Sequence, residues 1–568
     1  MIRKDWTTLD GTWDFSFDQP TFDRKILVPF AYQSAKSGIG DRTDHPTVWY
    51  RRTFQADPDK LAAGKHLILH FGAVDSEAEV WVNDRHVGGH TGGYTPFEMD
   101  ITEALQEGEN ILTLRADDSL AADKPRGKQS WSGDNFACWY TPSTGIWQSV
   151  WLEYTGAVRV KQVKITPDLA HNTALCEVYL SAEADVMASV ETMTNSVLIE
   201  KQLPLGGSSF FCEKGYGRCT LTFPDLDVRR VGLVWSLQCP NLIDVTVKLS
   251  RAGKQLDEVS TYFGMRSVSV RDGRVYLNDE VLYERLVLDQ GYWPESLLTA
   301  PDAQAYIDDL MHVKVMGLNG VRMHQKIEDP RFYYAADRMG VLVWGEMPSC
   351  YRYTDNTVRR TADELTEFIA RDYNHPSIIT WVPANETWGF RGAKTDPQRQ
   401  HYSDMLIYLA KALDPTRLVS GNDGWEQTQN TDLIGIHDYA LMPSTMHKYD
   451  NMAAILTANA EVRAVMADGQ AYAGQPVLMT EYGGIAFSDG NEGWGYYDKV
   501  RNEEEFLARL APITEYLIQS GHFAGFCYTQ LTDVMQEKNG LLTEDRKMKV
   551  PEQKLAAIFG RKEWEESK

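Results

Sequence analysis

Two glutamates stand where an apolar run gives way to polar residues. In Asn374-His-Pro-Ser-Ile-Ile-Thr-Trp-Val-Pro-Ala-Asn385-Glu386-Thr-Trp388, the segment Ile378–Pro383 reads as a buried strand, and Asn385 and Glu386 follow where it stops. In Pro476-Val-Leu-Met-Thr-Glu481-Tyr-Gly-Gly484 the apolar stretch ends on Glu481. The carboxyl ends of strands are where α/β barrels assemble their chemistry. Two carboxylates on different strand ends are the minimum equipment for cleaving a glycosidic bond, one as proton donor and the other as nucleophile or base. One glutamate after a strand is more often a helix N-terminal or surface carboxylate. Two in matched contexts reverse that balance.

The neighbours suit the same chemistry. Asn385 can hydrogen-bond the sugar hydroxyl beside the scissile carbon, a contact that strengthens in an oxocarbenium-like transition state. Tyr439, in Ile436-His-Asp-Tyr439, can orient a carboxylate by donating its phenol proton. Trp293, Trp344, Trp388, Trp425 and Trp494 fall near expected strand ends, where an indole face can stack on a sugar, although buried tryptophans more often serve packing.

To bring Glu386 and Glu481 together the chain needs a barrel, and its rhythm supplies one. Strand candidates Val281–Leu288, Gly320–His324, Val341–Glu346, Ile378–Pro383, Leu418–Gly421, Leu433–His437, Val477–Glu481 and Gly525–Gln530 alternate with helical patterns at Ala303–Val315, Phe332–Met339, Asp363–Tyr373, Tyr402–Leu413 and Glu504–Ser520. That predicts a (β/α)8 TIM barrel over 266–568. Before it, short alternating runs such as Ala78–Asn83 and Ser149–Glu153 predict a jelly-roll-like β-sandwich over 1–155, and Val158–Ile165 and Val245–Leu249 a smaller immunoglobulin-like β-sandwich over 156–265. A length of 568 residues accommodates three domains.

Composition narrows the partners. A formal charge of −23 disfavours nucleic acid and anionic membranes, and the expected substrate is a neutral carbohydrate. The N-terminus shows no apolar signal segment, and no run of about 18 apolar residues could span a bilayer, so a cytoplasmic location is expected. The seven cysteines are scattered, without a CxxC or Cys/His cluster, and neither a metal nor a cofactor is expected. A homo-oligomer is compatible with this reading.

The segment Asn374–Trp381 followed by Asn385-Glu386 resembles the acid/base signature of glycoside hydrolase family 2, the β-galactosidase, β-glucuronidase and β-mannosidase family. Thr480–Gly484 is similar to its nucleophile segment, and Val80–Asn83, Gly92–Phe97 and Thr144–Val150 resemble its N-terminal sandwich. The resemblance implies retaining double displacement with Glu386 as acid/base and Glu481 as nucleophile. It also implies that His324 lines the sugar site. The chain departs from the family pattern in three places. Leu288-Asp289-Gln-Gly-Tyr-Trp293 replaces an Arg-His-Glu-type segment, putting Asp289 and Trp293 among the expected substrate-binding residues, and Tyr528 stands near the family's tryptophan floor. Where β-glucuronidases carry Asn-x-Lys, the chain reads Glu537-Lys538-Asn539, and a glutamate there would repel a uronate. The expected substrate-binding set is thus Asn385, Tyr439, His324, Asp289, Trp388, Trp425, Tyr528 and Trp293. The expected activity is an exo-acting retaining β-glycosidase for a neutral sugar, β-galactoside first. The alternatives are a β-glucuronidase, a β-galactofuranosidase or α-L-arabinofuranosidase, and a catalytically inactive carbohydrate-binding protein.

Overall fold

The computed structural model describes residues 1–199, 202–458, 463–487 and 493–560. The chain divides into two compact units. One comprises Met1–Leu120, Ser143–Ser267 and Glu367–Pro376, and the other comprises Ala121–Pro142, Val268–Thr366 and the chain from Ser377 onward.

The first unit holds two sandwiches. In the N-terminal one, a six-stranded sheet (Arg24–Val28, Gly11–Phe17, Thr47–Gln55, Glu109–Asp117, Glu77–Val82, Arg85–Thr91, in that order) and a four-stranded one (Trp6–Thr8, Val150–Thr155, His66–Phe71, Phe97–Asp100) share one core. The period-2 alternation decides which face is buried: Val48, Tyr50, Leu112, Leu114, Val80 and Val82 point in, while their sequence neighbours are wetter. A three-stranded and a four-stranded sheet form the second sandwich around Val178, Val190, Val247 and Leu249. Arg3 ties the two sandwiches together. Its guanidinium grips both carboxylate oxygens of Asp257 (3.1 and 3.0 Å) and reaches Glu153 at 2.6 Å, all three side chains being buried.

The second unit is an eight-stranded, all-parallel sheet: β1 (Glu284–Asp289), β2 (Gly320–Met323), β3 (Leu342–Glu346), β4 (Ile378–Val382), β5 (Leu418–Val419), β6 (Ile434–Asp438), β7 (Val477–Gly483) and β8 (Gly525–Thr529). Each strand pairs with its sequence neighbour, and β8 pairs with β1, leaving a single seam between β5 and β6. Their near-continuous burial explains the apolar runs by which they were read. The intervening helices carry side-chain caps: Asp302 on α1 (Ala303–Val315), and Asp329 followed by Pro330 on α2 (Pro330–Met339), which ends at the left-handed Gly340. α3 (Asp355–Asp372) begins eight residues before the pattern suggested, since Asp355 to Ala362 is too polar to show a clear apolar stripe. No described helix is long and apolar enough to cross a membrane.

One segment departs from the sequence-based boundaries. Ala121–Pro142 lies between strands of the first sandwich, yet it clusters with the barrel unit. Arg126 and Gly127 donate backbone N–H groups to Ser349 O (2.9 and 3.1 Å), and Tyr351 N donates to Ala122 O (2.7 Å). Gly127, at φ 59°, sits so close to the barrel that a Cβ would lie 2.1 Å from Gln325 O, so only glycine fits.

Arg3→Met leaves Asp257 as a buried carboxylate without its cation, and Glu153 with His70 as its remaining partner. It should destabilise the sandwich unit by about 3–5 kcal/mol. Urea unfolding followed by tryptophan fluorescence checks this, and an unchanged midpoint would refute it.

Candidate active site

The barrel interior is built around Arg322, in the middle of β2 and fully buried. Its Nε donates to Glu346 Oε2 on β3 (2.7 Å), NH1 to Glu481 Oε1 on β7 (3.0 Å) and Asp423 Oδ2 beyond β5 (2.7 Å), and NH2 to Asn385 Oδ1 beyond β4 (2.7 Å). Contacts between non-adjacent strands must cross the interior, so these side chains converge inside the barrel. Deeper down, Trp344 Nε1 donates to Glu284 on β1 (2.6 Å), whose carboxyl burial pushes up to about 8.

His437, near the end of β6, completes the cluster. Its Nδ1 faces Glu386 Oε1 (2.7 Å) and Glu481 Oε2 (3.5 Å), and its Nε2 faces Asp423 Oδ2 (3.2 Å). Carboxylate acceptors on both ring nitrogens call for a proton on each, opposed only by the Arg322 NH1 donor, which approaches Nε2 at 3.3 Å. Burial opposes the charge, but Glu481, Asp423 and Glu386 outweigh it and hold the imidazole up at about 10. Asp423 in turn is held down at about 2, Arg322 and His437 overcoming its burial. One oxygen of Glu386, one of Glu481 and a His437 nitrogen all lie within 4.8 Å of one another. The trio has the residue types of a metal site, and a metal there would have to displace a proton from the His437 ring.

Glu386 is presented by strained backbone. It and Thr387 both adopt the left-handed region (φ 52° and 54°), which costs of order 1–3 kcal/mol for each non-glycine residue. Hydrogen bonds from Glu386 N to Asp423 O and from Thr387 N to Asn422 Oδ1, both 2.9 Å, hold the turn.

Five of the eight expected substrate-binding residues join the pair. Asn385 is fixed by Arg322. Tyr439 donates to Glu481 Oε2 and stacks on Tyr496 (3.7 Å, 5°). His324 lies 3.2 Å from Glu346, and its pKa is well below the usual imidazole value through burial and then through Arg322 and Lys128. Trp388 donates Nε1–H to Glu386 Oε2 (3.2 Å), and Trp425 meets the His437 ring edge-on (5.6 Å, 72°).

The other three do not join it. Asp289 accepts from Gly291 N (2.9 Å) in the field of Asp309 and Arg546, and burial pushes it up to about 6. Trp293 lies between Lys326 (5.0 Å) and Arg546 (4.9 Å). Tyr528 packs on Phe559 and Tyr482 because alternation along β8 turns Cys527 and Thr529 inward and Tyr528 toward the helices. Trp344 is interior packing, and Trp494 bonds Ala137 O (3.1 Å).

Several site residues were missed by sequence reasoning. Arg322 and His437 carried a signal, a charged or titratable group inside an apolar strand run. Asp423 and the aromatic wall around the expected Trp388 did not. That wall combines Trp131 and Trp139 of the Ala121–Pro142 segment with Tyr351 and Trp388: Trp131 stacks on Tyr351 (3.9 Å), and Trp139 meets Trp388 edge-on (5.1 Å).

Two sandwiches ahead of a parallel eight-stranded barrel, with paired glutamates at its strand ends, define a multidomain carbohydrate-processing architecture. The chain belongs to glycosyl hydrolases family 2. The family's sugar binding domain matches residues 7–152, its second domain 158–266 and its TIM barrel domain 268–550. A β-glucuronidase of Paenibacillus borealis is 24% identical over 98% of this chain and 97% of its own. A β-galactosidase of Thermoanaerobacter pseudethanolicus is 29% identical over 67% of this chain and 50% of its own. The chain spans about half the length of the first curated relatives it matches. The structure of Bifidobacterium dentium β-glucuronidase complexed with coumarin-3-O-glucuronide superposes with a TM-score of 0.78, at 22% identity, over 99% of both chains.

His437 should remain an imidazolium through pH 8, as read by 15N chemical shifts of labelled histidine; a neutral ring at pH 7.5 would refute the charge assignment. Its folded pKa is raised, so its stabilisation is complete below about pH 6.5 and is lost between there and about 10. Thermal stability should therefore fall more steeply over this window in the wild type than in His437→Gln.

Proposed function

We propose that the chain is an exo-acting retaining β-glycosidase, with Glu481 as nucleophile and Glu386 as acid/base. The observation that supports this best is the approach of the two carboxylates, with one oxygen of each within 4.8 Å of the other. Direct attack on the anomeric carbon needs carboxyl groups about 5–5.5 Å apart, whereas an inverting reaction needs about 6.5–9.5 Å to admit a water.

The environments divide the roles. Arg322 and Tyr439 each hold one oxygen of Glu481, orienting both. Glu386 faces the proton-bearing Nδ1 of His437. In the first step Glu481 attacks the anomeric carbon, the glycosidic bond breaks, and a proton passes from Glu386 to the leaving oxygen. His437 faces Glu386 through Nδ1 and Asp423 through Nε2, and the proton that Glu386 takes up in the second step replaces the one it gave in the first. In the second step Glu386 takes a proton from water, whose oxygen displaces Glu481. Because Arg322 occupies Asn385 Oδ1, the amide NH2 of Asn385 is the group that would donate to the sugar's 2-hydroxyl.

The favoured substrate is a neutral β-hexoside, β-galactoside first. Glu537 is buried, bonded by Tyr140 (2.5 Å) and Asn539 (3.1 Å), and lies in the electrostatic field of Glu481, where a uronate would be repelled. Lys538 pairs instead with Glu544 (3.4 Å). A β-uronide is the second reading, favoured by the buried ammonium of Lys128 in the fields of Glu481 and Glu386.

Glu481→Gln should abolish turnover, and a 2-deoxy-2-fluoro glycosyl fluoride should label Glu481; labelling of a different carboxylate would overturn the assignment. Glu386→Ala should lose about 10²–10⁴-fold on glycosides with poor leaving groups but far less on activated aryl glycosides. An equal loss across the series would exclude the acid/base role. Comparing nitrophenyl β-galactoside, β-glucuronide and α-L-arabinofuranoside, kcat/KM for the galactoside should exceed that for the glucuronide by at least about tenfold, equivalent to about 1.4 kcal/mol.

A further inference from the structure

The barrel helix α1 carries two apolar faces where a surface helix needs one. Tyr306, Leu310 and Val313 are buried and form the stripe that seats α1 on the barrel. Ile307, Met311 and Val315 recur at i, i+4 and i+8 on the other side and are 38%, 49% and 37% exposed. Tyr334, 46% exposed, extends this strip onto α2. The two helices lie side by side: Tyr306 meets Phe332 edge-on (6.0 Å, 70°), and Lys314 Nζ donates to Met339 O (2.6 Å). Of the five large apolar or aromatic side chains exposed on the described barrel helices, four lie in this strip, and the fifth, Tyr408, stands alone on the helix Pro397–Leu413. Single exposed apolar residues are ordinary, whereas a contiguous strip marks a surface that meets another molecule.

The polar residues beside the strip identify that molecule. Asp308 and Lys314 are both exposed, and they lie three residues before and three after Met311. A half-turn about an axis through Met311, perpendicular to the helix, exchanges positions equally far from 311. It sets Ile307 against Val315 of a second copy, Met311 against Met311, and Asp308 against Lys314, and each unlike pair occurs twice. At about 100° per residue, 307 and 315 fall about 40° to either side of Met311, and 308 and 314 about 60°. Each pair therefore meets on the same flank as well as at the same height. Rows of residues four apart are the ridges by which two helices interlock, crossing at about 50°. Both charged groups have capacity left for such a contact. Gln304 Nε2 donates to one oxygen of Asp308 (2.9 Å), and Lys314 spends one of its three donors on Met339 O.

We propose that the outward face of α1 is a self-association surface, on which two copies of the chain pair about a twofold axis at Met311 with Asp308 of each copy bonded to Lys314 of the other. The apolar strips supply the contact, and the two reciprocal charge pairs set direction and register. One helix pair with Tyr334 beside it buries less than the about 1,200–2,000 Å² of a standard interface, so the dimer is reversible, with a dissociation constant of about 1–100 µM. The proposal does not depend on the chemistry assigned to Glu386 and Glu481.

Sedimentation velocity of the full chain from about 1 to 200 µM should show a monomer–dimer equilibrium. Met311→Asp puts two carboxylates on the axis and should raise the dissociation constant at least about tenfold. Asp308→Lys and Lys314→Asp each replace two attractions with two repulsions and should weaken association at least about threefold. The double variant Asp308→Lys/Lys314→Asp restores opposite charges and should return to within about twofold of the wild type. Because the double variant also lacks the Lys314 bond to Met339, its recovery separates pairing between copies from a local loss, and melting temperatures confirm that every variant folds. A wild type that stays monomeric at about 200 µM, or a dimer that Met311→Asp leaves unchanged, would overturn the proposal. A double variant no stronger than the single ones would overturn the twofold register.

Discussion

The barrel depends on one buried guanidinium. Arg322 is a permanent charge in an apolar interior, a placement that costs several kcal/mol unless its donors are satisfied. Glu346, Asp423, Glu481 and Asn385 satisfy them, and they come from β3, β7 and the segments following β4 and β5. The dependence runs both ways, since without Arg322 these carboxylates would be buried with only His437 to offset them. Lysine could not substitute, because a point charge lacks the planar fork that reaches four partners from different strands.

The charges inside the barrel come close to cancelling. Arg322 and the His437 imidazolium stand against Asp423 and Glu481. Glu346 is raised to about 7 by burial, Arg322 countering only part of the effect, and so is divided between its two forms at neutral pH. Deeper in the barrel, Glu284 is raised to about 8 and is protonated there. Glu284, at the start of β1, is thus neutral, while Asp423, beyond the end of β5, is held charged. The strained turn at Glu386 and Thr387 has its backbone held by Asp423 and Asn422, so the residues that balance the charge also hold the turn.

The Ala121–Pro142 segment shows how a domain boundary drawn from strand rhythm can misplace function. It lies between two sandwich strands and carries four aromatic residues, Trp131, Phe136, Trp139 and Tyr140. Its packing partners are barrel residues: Ser349, Gln325 and Tyr351. It brings Lys128, Trp139 and Tyr140 to the barrel unit, and no periodicity could reveal this, because the contacts join positions some 200 residues apart or more.

The sequence by itself determined the architecture and singled out the two glutamates proposed to react. Period-2 alternation with turn residues specified the sandwiches, the strand–helix rhythm specified eight parallel strands, and two apolar runs ending in glutamate marked Glu386 and Glu481. These are local signals, carried within about ten residues of chain. Tertiary structure decided what surrounds the pair. Whether Tyr528 faces sugar or helix depends on the inward phase of β8, and Asp289 and Trp293 were drawn away by Asp309, Lys326 and Arg546, which sequence distance conceals. The convergence of Arg322, Asp423 and His437, and the approach of Lys128 and Glu537, exist only once the barrel closes and the Ala121–Pro142 segment packs with it. Charge pairing across a closed sheet is a property of three-dimensional distance, which spacing along the chain does not encode.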